Sequence, residues 1–454
     1  MSQSKFGGMT VLLIAISLII GLAAGYFVGG AGKVSESQYN QLQTSYNQLQ
    51  TLYNQLQQNA VSKSQYDQLQ SQYNQLQTMY NELQQNVSSL TRKLKAGFIY
   101  VGPVEDFGWT AAHHQAKLYV EKLFPWLETV YVESVPEAEA ARYIERLVTE
   151  ENVDVVFTTS FGFMDPTIEV AQKYPNKMFF HCSGFKRLPN SGTYFADFYQ
   201  VYYLNGLMAG ALTKSNKVGY VAAYPLPEVL RHINAFALGV KEANPEAKVY
   251  VKWLFAWYDP THAREAAQAL VSIGVDAIAF TEDSTAIVEF AQEQYRQGKT
   301  LYVFSHYSPM QDVGPDVVVS GQIVHWEVIY ADILMKIRMG IYNNTNLANV
   351  DYLWLLKEGA VELGGKPGVP INPKFVNDLK NKYLPGQSIS IYDAVMNRLA
   401  LMKDANVPFD PFVGPIRDQA GNVKIPAGQR ATIAQLFTEE MNWFLDNIIG
   451  SPSG

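Results

Sequence analysis

Three patterns of apolar and polar positions follow one another along the chain. Met9–Val28 runs about twenty residues without a charge, the length that crosses a roughly 30 Å hydrocarbon layer as a helix. From Gln38 to Leu94 the apolar positions become periodic. Tyr39, Leu42, Tyr46, Leu49, Tyr53 and Leu56, then Tyr66, Leu69, Tyr73, Leu76, Tyr80, Leu83, Val87, Leu90 and Leu94, recur at alternating steps of three and four, which predicts a heptad seam. The phase slips around Gln57–Ser64, where a local break is expected. After Lys95, short apolar runs alternate with helical patterns. Strands are predicted at Ala96–Val101, Thr129–Val132, Asp154–Thr158, Lys177–His181, Val218–Ala222, Val249–Leu254, Asp276–Phe280, Leu301–Phe304 and Val317–Ile323. Between them, Glu137–Thr149, Glu228–Ala243, His262–Ile273 and Ile287–Arg296 read as helices, so parallel sheets covered by helices on both faces are expected. The turn Lys214–Lys217, between a small-residue helix (Leu204–Leu212) and a new strand, is a candidate crossover between two lobes.

These shifts predict an N-terminal membrane anchor at 1–34, a coiled-coil stalk at 35–95 and a two-lobed domain at 96–454. Lobe 1 is expected at about 96–213 plus about 317–342, and lobe 2 at about 214–316 plus about 343–454. The short end bearing Lys5 should stay in the cytoplasm, which puts the rest outside as a single-pass cell-membrane protein. Cleavage near Ala23–Gly25 is the alternative to a retained anchor, and pilin-like processing near Gly7–Gly8 is a variant that keeps the apolar helix. The seam's flanks are mostly Gln, Asn and Ser, which leaves open both the oligomer number of a homo-oligomer through the stalk and a plain polar spacer. Composition narrows the rest. With 48% hydrophobic and 17% charged residues the chain can bury a core and is not wholly disordered. A net charge of −7 and the lack of a long basic run argue against a non-specific nucleic-acid binder. The single cysteine, Cys182, excludes an intrachain disulfide framework and any Cys-clustered metal site.

In open α/β sheets, the loops at the carboxyl ends of strands form the ligand crevice. Here those loops are rich in large rings beside polar groups: Asp106-Phe107-Gly108-Trp109, Thr159-Ser160-Phe161, Ser183-Gly184-Phe185, Trp257-Tyr258-Asp259, Glu282-Asp283-Ser284 and Ser305-His306-Tyr307. Such a set suits a flat, heteroatom-bearing ring held between side chains. Gly298-Lys299-Thr300 ends like a phosphate loop but lacks its leading glycine, which is Glu293, and no glycine-rich dinucleotide motif follows a strand. No nucleophile–base constellation emerges, so binding without chemistry is expected, with no cofactor and no metal. His113-His114 is expected to face solvent, His181 to be strand packing, and Asp165 to cap a helix ahead of Pro166.

The segments Pro103–Ala116, Thr158–Pro166, Tyr224–Val240, Ala256–Pro260, Thr281–Ser284, Phe412–Gln429 and Met441–Trp443 together resemble the basic membrane protein (Bmp) family. Its members are substrate-binding lipoproteins of ABC importers, related to the purine nucleoside receptor type. The resemblance implies an α/β type I periplasmic-binding-protein fold, with two Rossmann-like lobes joined by three crossovers. It also implies capture of a purine base or nucleoside, adenine-type in this branch, and delivery to an ABC transporter permease. It assigns ligand binding to Phe107, Trp109, Ser160, Phe161, Trp257, Asp283 and Trp326, to which the loop pattern adds Asp106 and His306, and it places Arg231 and Asn234 at a hinge or cleft wall. His306 stands where members carry an acidic residue and His325 where an Asn is usual, so the ring edge that is read stays open. The alternatives are another small ligand such as a sugar, a receptor signalling through the stalk, and an enzyme acting on a small heterocycle.

Overall fold

The computed structural model describes residues 93–404 and 409–454, together with 44, 47–48, 50–51, 67–68 and 70–81. It divides into two compact units, Met1–Arg92 and Lys93–Gly454. In the first unit, residues 70–81 are helical and Leu76 of the heptad set is buried. The anchor Met9–Val28 and most of the heptad seam lie outside the described residues. Among the described residues, no helix is long and apolar enough to cross a membrane. Leu94, the last heptad position, is not stalk but the first residue of a strand.

From Leu94 the chain alternates strand and helix. The first six strands and five helices are β1 (Leu94–Ile99), α1 (Trp109–Leu123), β2 (Leu127–Val132), α2 (Ala140–Thr149), β3 (Val155–Thr158), α3 (Met164–Lys173), β4 (Met178–Cys182), β5 (Ser191–Ala196), α4 (Tyr199–Leu212), β6 (Lys217–Ala222) and α5 (Pro227–Ala243). There follow β7 (Lys248–Trp253), α6 (Pro260–Ser272), β8 (Ala277–Thr281), α7 (Ala286–Arg296), β9 (Tyr302–Ser305), β10 (Val318–Val324), α8 (Trp326–Arg338), β11 (Asp351–Trp354) and β12 (Val361–Leu363). The C-terminal part adds α9 (Pro373–Lys380), α10 (Ile391–Lys403), the hairpin β13–β14 (Ile416–Arg417 and Val423–Ile425), α11 (Ile433–Phe437) and β15 (Ile448–Ile449).

The strands sort into two sheets, β11-β5-β4-β3-β1-β2 and β12-β10-β9-β8-β6-β7-β15. Every pairing in them is parallel except β10 with β12. Parallel strands covered on both faces read as unbroken apolar runs, and β3 (VVFT) and β8 (AIAFT) are buried at every position. Each sheet reverses its strand order at one point, between β1 and β3 in the first and between β6 and β8 in the second. Crevices open there, at the carboxyl ends.

The chain passes between the sheets three times: after β5, after β10 and after β11. These crossings differ from the expected lobe boundaries. Lys214–Lys217 is no crossover but a turn inside the second half, held by the Asp276 carboxylate, which accepts from the Lys214 and Ser215 N–H groups at 2.7 and 3.0 Å. The passage comes earlier, because α4 is apolar nearly all round and packs on α5. Residues from about 317, expected in lobe 1, form β10 beside β9 in the second sheet, while Asp351–Trp354, expected in lobe 2, extends the first sheet beside β5.

α4 and α5 approach through glycines. A Cβ on Gly206 would stand 2.1 Å from the Phe236 carbonyl oxygen, and one on Gly239 2.1 Å from that of Tyr203. The C-terminal part straps this pair. Asn234 donates to the Trp443 carbonyl at 2.9 Å and accepts from the Leu445 N–H at 2.9 Å, and β15 adds to the edge of β7.

Candidate functional site

The loops at the two reversal points meet. After β1 the Asp106 carboxylate turns back and accepts from the N–H groups of Gly108, Thr110 and Ala111 at 2.8–2.9 Å, closing the amino end of α1. Burial raises its pKa in spite of those three bonds. Asp106, expected to bind ligand, therefore spends its oxygens on holding the loop. Next comes Phe107 with φ 61°, and Tyr307, beyond β9 in the second half, has φ 56°. A ring-bearing residue in the left-handed region costs on the order of 1–3 kcal/mol, a strain that collects at ligand clamps. Gly108 is where the halves touch: a Cβ there would lie 2.4 Å from Asp283 Cβ, so no larger residue fits without separating the loops.

Trp109 is bonded from both sides. Its backbone N–H donates to Asp283 Oδ1 at 3.1 Å, across from the other half, and its indole N–H donates to the Thr159 carbonyl beyond β3. Its ring stands edge-on to Tyr307 at 5.4 Å and Trp326 at 5.5 Å. Asp283 in turn donates its N–H to the Trp257 carbonyl at 2.8 Å, which ties in the loop after β7. The Trp257 ring rests against Tyr224 at 5.5 Å. Trp109, Asp283 and Trp257 are thus brought together.

The other expected positions divide. Phe107 and Phe161 are 44% and 42% exposed and contact no other ring among the described residues, so they stand at the rim. Ser160 donates to Glu137 Oε1 at 2.6 Å, and its carbonyl accepts from or faces the buried His181 ring at 2.7 Å. Burial carries the His181 pKa down to about 4. His306 and Trp326 are 1% and 0% exposed, as buried as Asp283, and the Trp326 indole nitrogen has no hydrogen-bond partner. His306 bonds Tyr202 at 2.7 Å and Trp326 stacks on His113 at 4.3 Å. His113, expected in solvent, is fully buried and bonded to Tyr330 at 2.6 Å, because α8 packs over α1 from more than two hundred residues away. Asp165 is paired with Lys186 rather than capping α3, whose N-cap is Phe163. Arg231 and Asn234 lie behind the cleft, at the hinge. Arg231 is paired with Asp197 at the first crossing and donates to the Leu436 carbonyl at 2.6 Å.

Sequence reasoning missed the acidic floor. Burial, then Asp106 and Glu282 beside it, raises the Asp283 pKa well above the carboxylate range. Burial pushes Glu282 up to about 8 and Glu228 up to about 7. The Tyr307 hydroxyl reaches Glu228 at 3.3 Å, and Glu282 Oε2 is buried without a hydrogen-bond partner. The signal in the sequence is Glu282 next to Asp283 in the segment Thr281–Ser284. Among the described residues, Arg231 acts on Glu228 but is held by Asp197, so a phosphate here would meet carboxyl groups. A neutral ring with N–H groups at its edge suits the same floor. A cavity of about 700 Å³ opens elsewhere, between α4, α5 and α10, where Arg398 pairs with Glu242 at 2.5 Å and Lys241 with Asp446 at 2.6 Å.

Residues 93–396 match the family model described as ABC transporter substrate-binding protein PnrA-like. A purine-binding protein of Brucella abortus is 36% identical over 344 residues, 75% of this chain and 89% of its own length. A Haloferax volcanii protein whose assigned name is ABC transporter glucose-binding protein is 38% identical over 54% of this chain and 62% of its own. Among solved structures, an ABC transporter solute-binding protein from Conexibacter woesei superposes with a TM-score of 0.53 at 19% identity, covering 70% of this chain and 99% of that one. That likeness bears on the fold alone.

Proposed function

The chain belongs to the PnrA-like substrate-binding proteins of ABC transporters, and on that premise we propose that it captures a purine base or nucleoside where the loops of its two sheets meet. The observation that carries the reading is the contact of Trp109 with Asp283, a ring-bearing residue of one half seated on a carboxyl-bearing residue of the other. A planar base has faces for Trp109 and Trp257 and edge groups for Asp283, and the acidic floor disfavours a phosphorylated ligand. Ligand that touches both sets of loops shifts the open–closed equilibrium by its greater affinity for the closed form. No bond is made or broken. The apolar run Met9–Val28 tethers the protein to the cell membrane with this unit outside, and the closed form passes its ligand to a permease encoded elsewhere.

Calorimetric titration of the detergent-solubilised full chain with adenine, adenosine, guanosine, AMP and glucose tests this. A base or nucleoside should bind and be recovered unchanged, and at a hundredfold excess over Kd it should raise folding stability by about 2.7 kcal/mol. AMP should bind more weakly than adenosine. The glucose-named relative supports a sugar as the second reading. Glucose binding with no response to any purine would replace the first reading with the second.

A further inference from the structure

Glu137 is a carboxylate that the acidic floor does not include. It opens the one-turn helix Glu137–Glu139, which follows β2 and leads into α2. Its Oε1 accepts the Ser160 hydroxyl at 2.6 Å, so the carboxylate is drawn onto the loop after β3. Gly162 makes room for it. A Cβ on that glycine would lie 2.0 Å from Glu137 Cδ, while its backbone is in a region that other residues adopt. The glycine is needed by the carboxylate and not by the turn. Though seated this closely, Glu137 is exposed, and its Oε2 accepts from no group among the described residues. Arg142, one turn further on, is already paired with Glu139 at 2.9 Å. A carboxylate held by one oxygen and open at the other is set to accept from a donor that arrives from outside.

Trp109 relates this carboxylate to the cleft. Its backbone N–H is bonded to Asp283 Oδ1, and its indole N–H to the carbonyl of Thr159, the residue before Ser160. The side chain thus spans from the floor to the loop that holds Glu137. A flat ligand lying along it has one end at Asp283 and the other at Ser160 and Glu137. A purine nucleoside is elongated in that sense, with ring-edge N–H groups at one end and, at the other, a sugar whose 2′- and 3′-hydroxyls are neighbouring donors. We propose that Glu137 accepts the ribose diol, so that the cleft takes purine nucleosides in preference to free bases. The assignment rests on purine capture at the cleft and adds to it which class of purine is held. Hydroxyl bonds to a carboxylate are of the stronger, charge-assisted kind, and an acidic side chain on a ribose hydroxyl is the solution that dinucleotide-binding folds also use. Ser160 gives its proton to Glu137 and keeps lone pairs for a second hydroxyl.

Calorimetric titration of the detergent-solubilised full chain with adenosine, 2′,3′-dideoxyadenosine, adenine and ribose tests this. Wild type should bind adenosine roughly tenfold or more tightly than either adenine or the dideoxy nucleoside. Glu137→Ala should bring adenosine down to the level of adenine while leaving adenine unchanged, which also shows the protein still folded. Gly162→Ala, which keeps the carboxylate but pushes it off its seat, should do the same. Equal losses for adenosine and adenine would show that Glu137 only braces the loop, and would overturn the proposal. So would wild type that binds adenosine and its dideoxy form alike. A wild type that binds no purine at all sinks the purine reading itself, and ribose then decides on Glu137. Ribose held by wild type and lost in Glu137→Ala upholds the diol contact, and ribose left unbound overturns it.

Discussion

His325 links two of the three passages between the sheets, and its titration gives a number that can be checked. It lies between β10 and α8. Its ring faces Glu327 Oε1 at 2.8 Å and Glu362 Oε2, on β12, at 2.9 Å, and its N–H donates to the Ala360 carbonyl at 2.8 Å. Hydrogen bonds to Glu327 and then Glu362 outweigh burial and raise its pKa from 6.5 to about 9. The folded chain thus holds the proton more tightly than the unfolded one. The resulting stability is fully present below pH 6.5 and is lost as pH rises through 9. At about 1.4 kcal/mol per pH unit, a rise of that size is worth about 3 kcal/mol. The side chain is 25% exposed, and screening trims the figure to about 2 kcal/mol. Urea unfolding of wild type and His325→Gln at pH 6 and pH 10 isolates the effect from other titrating groups. Wild type should exceed the variant by about 2 kcal/mol at pH 6 and by a few tenths at pH 10. A difference that stays constant across that range would show that the imidazolium is not bridging the two carboxylates.

Other substitutions probe the cleft and the hinge. Gly108→Ala places a methyl 2.4 Å from Asp283 Cβ. Holding the loops apart should weaken purine binding by roughly tenfold or more while thermal stability falls little, as calorimetry of the free and titrated protein will show. Trp257→Ala removes one stacking face, and a loss of about 1–3 kcal/mol predicts roughly 5- to 150-fold weaker binding; unchanged affinity would remove Trp257 from the site. Arg231→Ala leaves the Asp197 carboxylate, which Arg231 and His232 hold well below the usual range against the cost of its burial, without its main partner. That should cost about 3–5 kcal/mol in unfolding experiments, with Arg231→Lys intermediate.

Particular residues show where sequence suffices. β3 and β8 are legible because strands covered on both faces must be apolar throughout. β5 escapes the same reasoning: it opens Ser-Gly-Thr after Pro189-Asn190, so its polarity matches a turn although every position is buried. The sheet to which β10 or β11 belongs depends on partners far along the chain, which no local pattern encodes. In the cleft, Trp109 and Asp283 announce themselves as unusual loop residues. The burial of His113 does not, since it depends on Trp326 and Tyr330 from α8. Asp106 was legible in type but not in task. Its carboxylate takes the N–H groups that open α1, a task that its place beside Phe107 and Trp109 in a ring-rich loop does not reveal.

The glycine contact between α4 and α5 bears on how the halves move. With Gly206 and Gly239 seated against carbonyl oxygens of the opposite helix, neither helix can rotate or slide without a collision, so the second half travels as one body. Flexure is left to the short spans near Asp197, His325 and Trp354–Ala360, and a hydrogen bond of 3.0 Å from the Asp197 N–H to the Trp354 carbonyl already joins the first of these to the third. Residues that decide how readily this protein opens and shuts are therefore to be sought along those few links, well away from the rings gathered where the loops meet.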